Sequence, residues 1–343
     1  MRRQAKRQKN KEVNRLALIG FASLIVSVIG GAVYAVIGIT APTTITYTAQ
    51  DGTTMQSFTT HMCAAMDTYG TQVLTDTRNS QNYRVRKMPD GRCWMIDSLK
   101  LSDFTLTSAN SDVSANFTIP ANPVQSGADR ATNGTCVDNS LGITGTGNYL
   151  TCDGTTSDIT GTPANTNFNF IAYSDPAQAG QGSYEDNCLS RNSISTDSLT
   201  ACGYLYNWYT ATAGTGTRDT GANVNASSSL CPLGWKLPTG TDSGQFAILN
   251  NAMATGVTTP DTTSSATTLP NWRYNGPFEG ASSGTYSNGF IGMGDSFAYW
   301  SSTARSNTFS YSAYSNATLI HPGNFDNPPY KCNGYSIRCI LAT

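Results

Sequence analysis

Gln81–Leu101, QNYRVRKMPDGRCWMIDSLKL, is the stretch on which the fold turns. Tyr83 and Val85 alternate with Arg84 and Arg86, the period-two pattern of a strand with one buried face. Pro89-Asp90-Gly91 then supplies a turn, because proline presets φ and glycine accepts φ > 0. Cys93-Trp94-Met95-Ile96 returns as the second strand of a hairpin.

Outward from this hairpin the chain reads as mixed α and β. Upstream, Phe58–Met66 has the length of one or two helical turns, and Thr40–Gln56 reads as a short stalk. Downstream, Gly203–Ala211 (GYLYNWYTA) is dense in aromatics that suit a core, and Leu230–Pro238 (LCPLGWKLP) reads as a turn followed by a buried segment. Thr239–Met253 is the best helix: Thr239 or Thr241 serves as cap, Asp242 suits the positive N-terminal end, and Phe246, Leu249 and Met253 recur at helical spacing. Ala298–Thr303 and Gly334–Leu341 read as core strands, the second with Tyr335, Ile337, Cys339 and Leu341 on one face and Ser336 and Arg338 on the other. Residues 102–200 are rich in Thr, Ser, Asn and Gly and are expected to be long surface loops.

Leu16–Ile39 is a run of 24 residues without a charge. As a helix it would reach about 36 Å, enough for a ~30 Å hydrocarbon core. Seven basic residues precede it, so Met1–Arg15 is expected in the cytoplasm and Thr40 onward outside. The competing reading is a signal peptide cleaved after Ala35; either way the remainder is exported. Beyond Ile39 stand 14 basic and 21 acidic residues, a net of −7 with no basic stripe, which argues against a nucleic-acid partner. All nine cysteines lie in this exported part, where disulfides persist. None forms a CxxC pair, and the odd count leaves at least one free or joined to another chain. Neighbour pairing gives Cys136–Cys152 and Cys188–Cys202, each stapling a short loop.

Five segments carry a resemblance: Leu74–Leu101, GYLYNWYTA, CPLGWKLPT, YWSST and SIRC occur in the order seen in the Fibrobacter succinogenes major paralogous (FISUMP) domain. The match runs roughly from Leu74 to Ile340, with 102–200 as a poorly matching insertion. It implies an α+β, C-type-lectin-like ectodomain over 74–342, with long disulfide-stapled loops, preceded by a 40–73 lead-in and the single N-terminal transmembrane helix at 16–39. It also implies the pairs Cys231–Cys339 and Cys63–Cys93, leaving Cys332 free or intermolecular; the alternative is a local Cys332–Cys339 pair. The sequence departs from the family where Lys236 replaces the usual His of the GWHLP segment and where Asp97-Ser98-Leu99 follows the Trp-Met pair. Neither change removes a core aromatic.

Chemistry-bearing motifs are few. There is no HExxH, no Walker loop and no GxGxxG after a strand. Gly280–Gly284 matches G-x-S-x-G, and Ser282, Asp295 and His321 follow hydrolase chain order. Gly, Ser and Asn flank the motif on both sides, however, where a strand and a helix are required. A calcium site in the loops would draw on Glu279, Asp295, Asp326 and Asn327, although the Glu-Pro-Asn and Trp-Asn-Asp motifs of sugar-binding C-type lectins are missing. Trp272 and Tyr286, in Gly-rich loops, are candidates for stacking on a sugar, against the plainer reading that they build the core. The chain therefore reads as a membrane-tethered surface protein displaying a binding scaffold for a glycan or protein. The alternative is a structural envelope component crosslinked through Cys332. No enzyme class is supported, including the oxidative chemistry of formylglycine-generating relatives of the lectin-like fold, since no matching reactive cysteine environment is present.

Overall fold

The structure, a computed structural model, describes residues 53–102, 104–119, 202–216, 220–254, 265–286, 290–323, 328–331 and 333–343. The apolar run 16–39, most of the 102–200 insertion, Cys332, Asp326 and Asn327 lie outside the described residues. No helix among the described residues is long and apolar enough to cross a membrane.

The chain is mixed helix and sheet, mostly sheet. A 3-10 turn, Met55–Ser57, leads to α1 (Thr60–Ala65), β1 (Thr71–Asp76), β2 (Gln81–Lys87), β3 (Cys93–Met95), β4 (Phe104–Leu106) and β5 (Phe117–Ile119). There follow α2 (Trp208–Ala211), β6 (Trp235–Lys236), α3 (Gln245–Met253), α4 (Leu269–Trp272), β7 (Thr285–Tyr286), β8 (Phe290–Ile291), β9 (Phe297–Ala304), β10 (Ser310–Ser315), β11 (Ile320–Pro322) and β12 (Ile340–Leu341). The main sheet has the order β1-β2-β3-β12-β6, so the last strand of the chain pairs between β3 and β6. A second sheet, β11-β10-β9, and the hairpins β4-β5 and β7-β8 complete the pairing.

The hairpin expected from Gln81–Leu101 is present. Val85 faces Met95 and Arg86 faces Trp94 across antiparallel strands, and Gly91 takes φ +80° in the turn. Its burial differs from the expected half-buried pattern. Tyr83, Val85, Cys93 and Met95 enter one hydrophobic core with Trp208, Trp235 and Trp300, while Trp94 enters a second with Phe246, Trp272, Phe278 and Tyr299. The final segment repeats the split: Tyr335, Ile337, Cys339 and Leu341 fill the first core, and Ile340 enters the second. The opposite face, which carries Ser336 and Arg338, is therefore also covered, and both residues are buried. Covering both faces obliges every charge on the sheet to find a partner.

Four further differences stand out. The folded region starts before Leu74: Met55, Phe58 and Cys63 are core residues, and the Trp235 indole N–H donates to the Met55 carbonyl (2.7 Å), so the latter part of the expected 40–73 lead-in belongs to the domain. β1 is a strand of mostly polar residues, held in register by β2 with Leu74 opposite Tyr83. Within the insertion, Leu106 and Ile119 of the β4-β5 hairpin pack into the first core. The long helix starts later than expected, at Gln245, because Gly244 is its N-cap residue. Thr239 still contributes: its Oγ1 accepts from Gln245 N–H (3.0 Å), while Gln245 Oε1 accepts from Thr239 N–H (2.8 Å).

Both disulfides implied by the resemblance are formed. Cys63–Cys93 ties α1 to β3, and Cys231–Cys339 ties the segment before β6 to the end of the chain. Cys202 is also disulfide-bonded. The expected pairings Cys136–Cys152 and Cys188–Cys202 involve Cys136, Cys152 and Cys188, which lie outside the described residues.

The β4-β5 connection is pinned beside Cys231. Asp112 N–H donates to the Cys231 carbonyl (3.0 Å), and Ser229 Oγ donates to Asp112 Oδ2 (2.6 Å). Burial pushes the Asp112 carboxyl up to about 6, with the Ser229 hydroxyl and Lys236 pulling the other way. A carboxyl raised in the folded state contributes most below its unfolded value of ~3.9, and that contribution is lost as pH rises through about 6. Asp112→Asn keeps an acceptor for Ser229 and removes the buried charge. The variant is expected to melt above the parent at pH 8 and to converge with it at pH 4; a lower melting temperature at pH 8 would contradict this sign.

Candidate functional site

Two constellations of polar side chains stand out. The first is internal. On β2, Arg84 pairs with Asp97 (2.5 Å) and with Glu279 (2.5 Å), and Arg86 pairs with Glu279 (2.5 Å). Arg86 also donates to the Pro277 carbonyl. Beside them Arg338 is fully buried between the rings of Phe278 and Tyr299, its guanidinium carbon 4.7 Å from each centroid. It donates to the carbonyls of Phe278 (2.6 Å) and Glu279 (2.8 Å), and burial lowers its pKa from the usual arginine value. The whole arrangement clamps the Pro277–Glu279 loop onto the sheet. Glu279, a sequence candidate for calcium, thus spends both carboxylate oxygens on guanidinium groups.

The other sequence candidates are dispersed. Asp295 sits exposed in a turn closed by its own N–H to the Gly292 carbonyl (3.0 Å). Among the described residues no cluster of three or more His, Cys, Asp or Glu is placed to hold a metal. Trp272 is core, not a surface platform: it is fully buried, packs 4.7 Å from Phe278, and donates its indole N–H to Asn250 Oδ1 (2.9 Å). Tyr286 lies in β7 opposite Phe290; its side chain is outside the described set. Ser282 precedes a two-residue strand with no helix after it, so the strand-turn-helix frame of a nucleophile elbow is missing. His321 lies in β11, nearly parallel to the Tyr314 ring.

The second constellation is a surface cleft of about 580 Å³ that the sequence reading did not single out. Its walls are Asn223 and Asn225, the loop Thr239–Gly244 that leads into α3, Thr303 of β9 and Tyr311 of β10. Gly240 permits the close approach of loop and sheet, since a Cβ there would lie 2.2 Å from Tyr311 Cβ. Its N–H donates to Thr303 Oγ1 (2.9 Å), whose hydroxyl then donates to Asn225 Oδ1 (2.5 Å). Tyr311 Oη donates to Asn223 Oδ1 (3.0 Å). Each carboxamide oxygen is thereby held in the wall, and what each side chain offers the cleft is its Nδ2 donor pair. Asp242 and Ser243 are exposed within the loop and add a carboxylate and a hydroxyl.

The backbone here is strained in two places. Asn223 takes φ +62° and Thr241 φ +82°, and for a β-branched residue the latter is a genuine outlier. Such conformations cost about 1–3 kcal/mol each and persist where the surroundings hold them, commonly at binding sites. Among the described residues no Lys, Arg or large aliphatic side chain lines the cleft, so its described walls offer neither the cations that hold phosphate nor the apolar surface that holds a lipid. Its donors, acceptors and single aromatic ring suit a small, hydroxyl-rich ligand.

No family model, no curated protein and no solved structure matches this chain.

Proposed function

We propose that this chain is a membrane-tethered, cell-surface binding protein whose C-type-lectin-like ectodomain holds a glycan in the cleft between Asn223, Asn225, Thr239–Gly244 and Tyr311. Leu16–Ile39 is the tether, and the acidic, disulfide-bonded part beyond it faces outward. The observation that carries the reading is the fixed polarity of the cleft. Two amide donor pairs on one wall and a carboxylate on the loop match a sugar, whose hydroxyls each donate and accept. The Tyr311 ring adds the kind of face on which sugars pack.

A glycan array probed with the exported part, Thr40–Thr343, tests this. Ser243 is exposed in the cleft loop, so Ser243→Trp should fill the cleft with stability changed by no more than about 0.5 kcal/mol, as for ordinary surface substitutions. The parent is expected to bind a defined set of glycans and the variant to lose that binding at least about tenfold. Equal binding by both proteins would move the site away from the cleft, and no binding to any glycan would sink the reading.

A further inference from the structure

The cleft lies on one face of the β9-β10 hairpin, and that face runs on beyond it. Asn225 bridges Thr303, and Asn223 N–H donates to the Ala304 carbonyl (2.8 Å), so both asparagines lie beside β9. The loop packs over one end of this face: Gly240 approaches Tyr311, and Ser302 N–H donates to the Pro238 carbonyl (2.8 Å). At the other end the hairpin continues, with Arg305 N–H donating to the Phe309 carbonyl (2.9 Å). Side chains alternate along a strand, which puts Arg305 on the face of Thr303, and Phe309 on the face of Tyr311. Two observations agree. Ser310 and Ser312 are buried while Phe309 and Tyr311 are half-buried, and the Arg305 guanidinium carbon lies 5.8 Å from the Tyr311 ring centroid. Phe309 in turn packs against Tyr330, also half-buried, with ring centroids 4.7 Å apart. We infer that the ligand is a chain of linked sugars, with one unit in the cleft and the following units packed over Tyr311, Phe309 and Tyr330. This rests on the reading of the cleft as a glycan site.

The two ends of the face offer different chemistry. In the cleft, the amide donor pairs of Asn223 and Asn225 answer the hydroxyls at the edge of one sugar. Toward the hairpin end the described side chains offer aromatic rings, which suit the apolar C–H face of a sugar. Phe309 and Tyr311 are two residues apart along a strand, about 7 Å, so the outer rings lie beyond a unit held by the asparagines and within reach of units linked to it. The Phe309–Tyr330 pair is also set before any ligand arrives, because a backbone bridge joins the two residues and the rings pack on each other. A platform held in this way costs little to order on binding. Each sugar packed on a ring should therefore raise affinity roughly two- to tenfold, the size of a favourable aromatic contact.

Length dependence is the test. Ladders of one to six units, cut from the glycans that the array above returns, are titrated into the parent, Phe309→Leu, Tyr330→Leu, Tyr69→Leu and Ser243→Trp. Leucine keeps apolar bulk and removes the flat ring. Tyr69 is 43% exposed and does not line the cleft, so its variant removes an aromatic ring elsewhere. Parent affinity is expected to climb over the first few units and then level off. Phe309→Leu and Tyr330→Leu should each lose at least about threefold on the longer ladders and nothing on the single unit, while Tyr69→Leu follows the parent. Phe309→Trp restores a ring face and should keep the climb, which separates loss of stacking from loss of folding. Equal parent affinity for one unit and six overturns the inference, and so do leucine variants that follow the parent at every length. A loss spread evenly over all lengths, or shared by Tyr69→Leu, also overturns it, since the rings then act through stability or non-specific contact. If Ser243→Trp still abolishes binding in those cases, the cleft stands as the glycan site and only its extension fails. No binding by any of the proteins defeats the site and the inference together.

Discussion

Replacing Cys231 and Cys339 together by alanine is expected to lower the free energy of unfolding by about 4–5 kcal/mol, the loop-closure value for a crosslink spanning on the order of 100 residues. The two cysteines are 108 residues apart in sequence, with Cα atoms 5.8 Å apart, and both are fully buried. Their bridge joins the segment entering β6 to the residue just before β12, so it fixes the two strands that close the main sheet. Without it, β12 is held by one residue pair to β3 and two to β6. Alanine is the right replacement, because serine would bury two hydroxyls and add an unrelated penalty. The companion variant is Cys63→Ala/Cys93→Ala. Its crosslink spans 30 residues, and the same relation gives a loss of about 3.5 kcal/mol. Urea unfolding under non-reducing conditions measures both. Against a total stability of roughly 5–15 kcal/mol, either loss moves the midpoint plainly. A larger loss from the shorter crosslink would show that local packing around Cys63 and Cys93, and not loop closure, sets the order.

The elements legible in the sequence are those whose signal is local. Pro89-Asp90-Gly91 between two alternating runs can only be a turn, and the hairpin follows. Phe246, Leu249 and Met253 mark α3 by spacing alone, and Tyr299-Trp300 mark a buried strand by their bulk. β1 escaped because Thr71–Asp76 carries too little apolar alternation, and its register comes from pairing with β2. The two-sided burial of the main sheet escaped for a related reason. Arg84 and Arg86 read as the unburied face of a half-buried strand, and Asp97 with the Pro277–Glu279 loop makes them tolerable inside. The cleft was least visible. Its walls come from four separated segments that, Tyr311 apart, are made of Asn, Thr, Gly, Ser and Asp, residue types abundant in this chain, so nothing in any one segment announces a site. The polar run TGTDSG before α3 reads as a helix cap, and its neighbour across the cleft, Asn223-Val224-Asn225, carries no local signal. Gly-rich flanks leave Trp272 open between a loop platform and the core, and α4 buries it against Phe246 and Phe278.

Glu279→Ala should be nearly as costly as losing the long disulfide, about 3–5 kcal/mol, because it leaves the Arg86 guanidinium buried without a counter-charge instead of deleting one favourable contact. The Arg86 side chain is 3% exposed and the Arg84 side chain 12%. Arg84 retains Asp97, but Arg86 keeps only the Thr71 hydroxyl and the Pro277 carbonyl, neither of which carries charge. The size of the loss therefore reflects the desolvated cation left behind, and the way to show this is to remove the cation as well. Arg86→Leu/Glu279→Leu leaves the Arg84–Asp97 pair intact and puts apolar volume where the ion pair was. This double variant is expected to recover most of the stability lost by Glu279→Ala, as when a buried ion pair is exchanged for well-packed hydrophobic residues. Urea midpoints for the parent, Glu279→Ala and the double variant supply the comparison. The same proteins decide between an internal clamp and a metal ligand at this position. Since both Glu279 oxygens are already taken by arginine, millimolar calcium should leave the parent's melting temperature unchanged and chelator should not lower it. A calcium-dependent rise that vanishes in Glu279→Ala would mean that the carboxylate turns away from Arg84 and Arg86 to bind the ion, and the clamp would have to be abandoned.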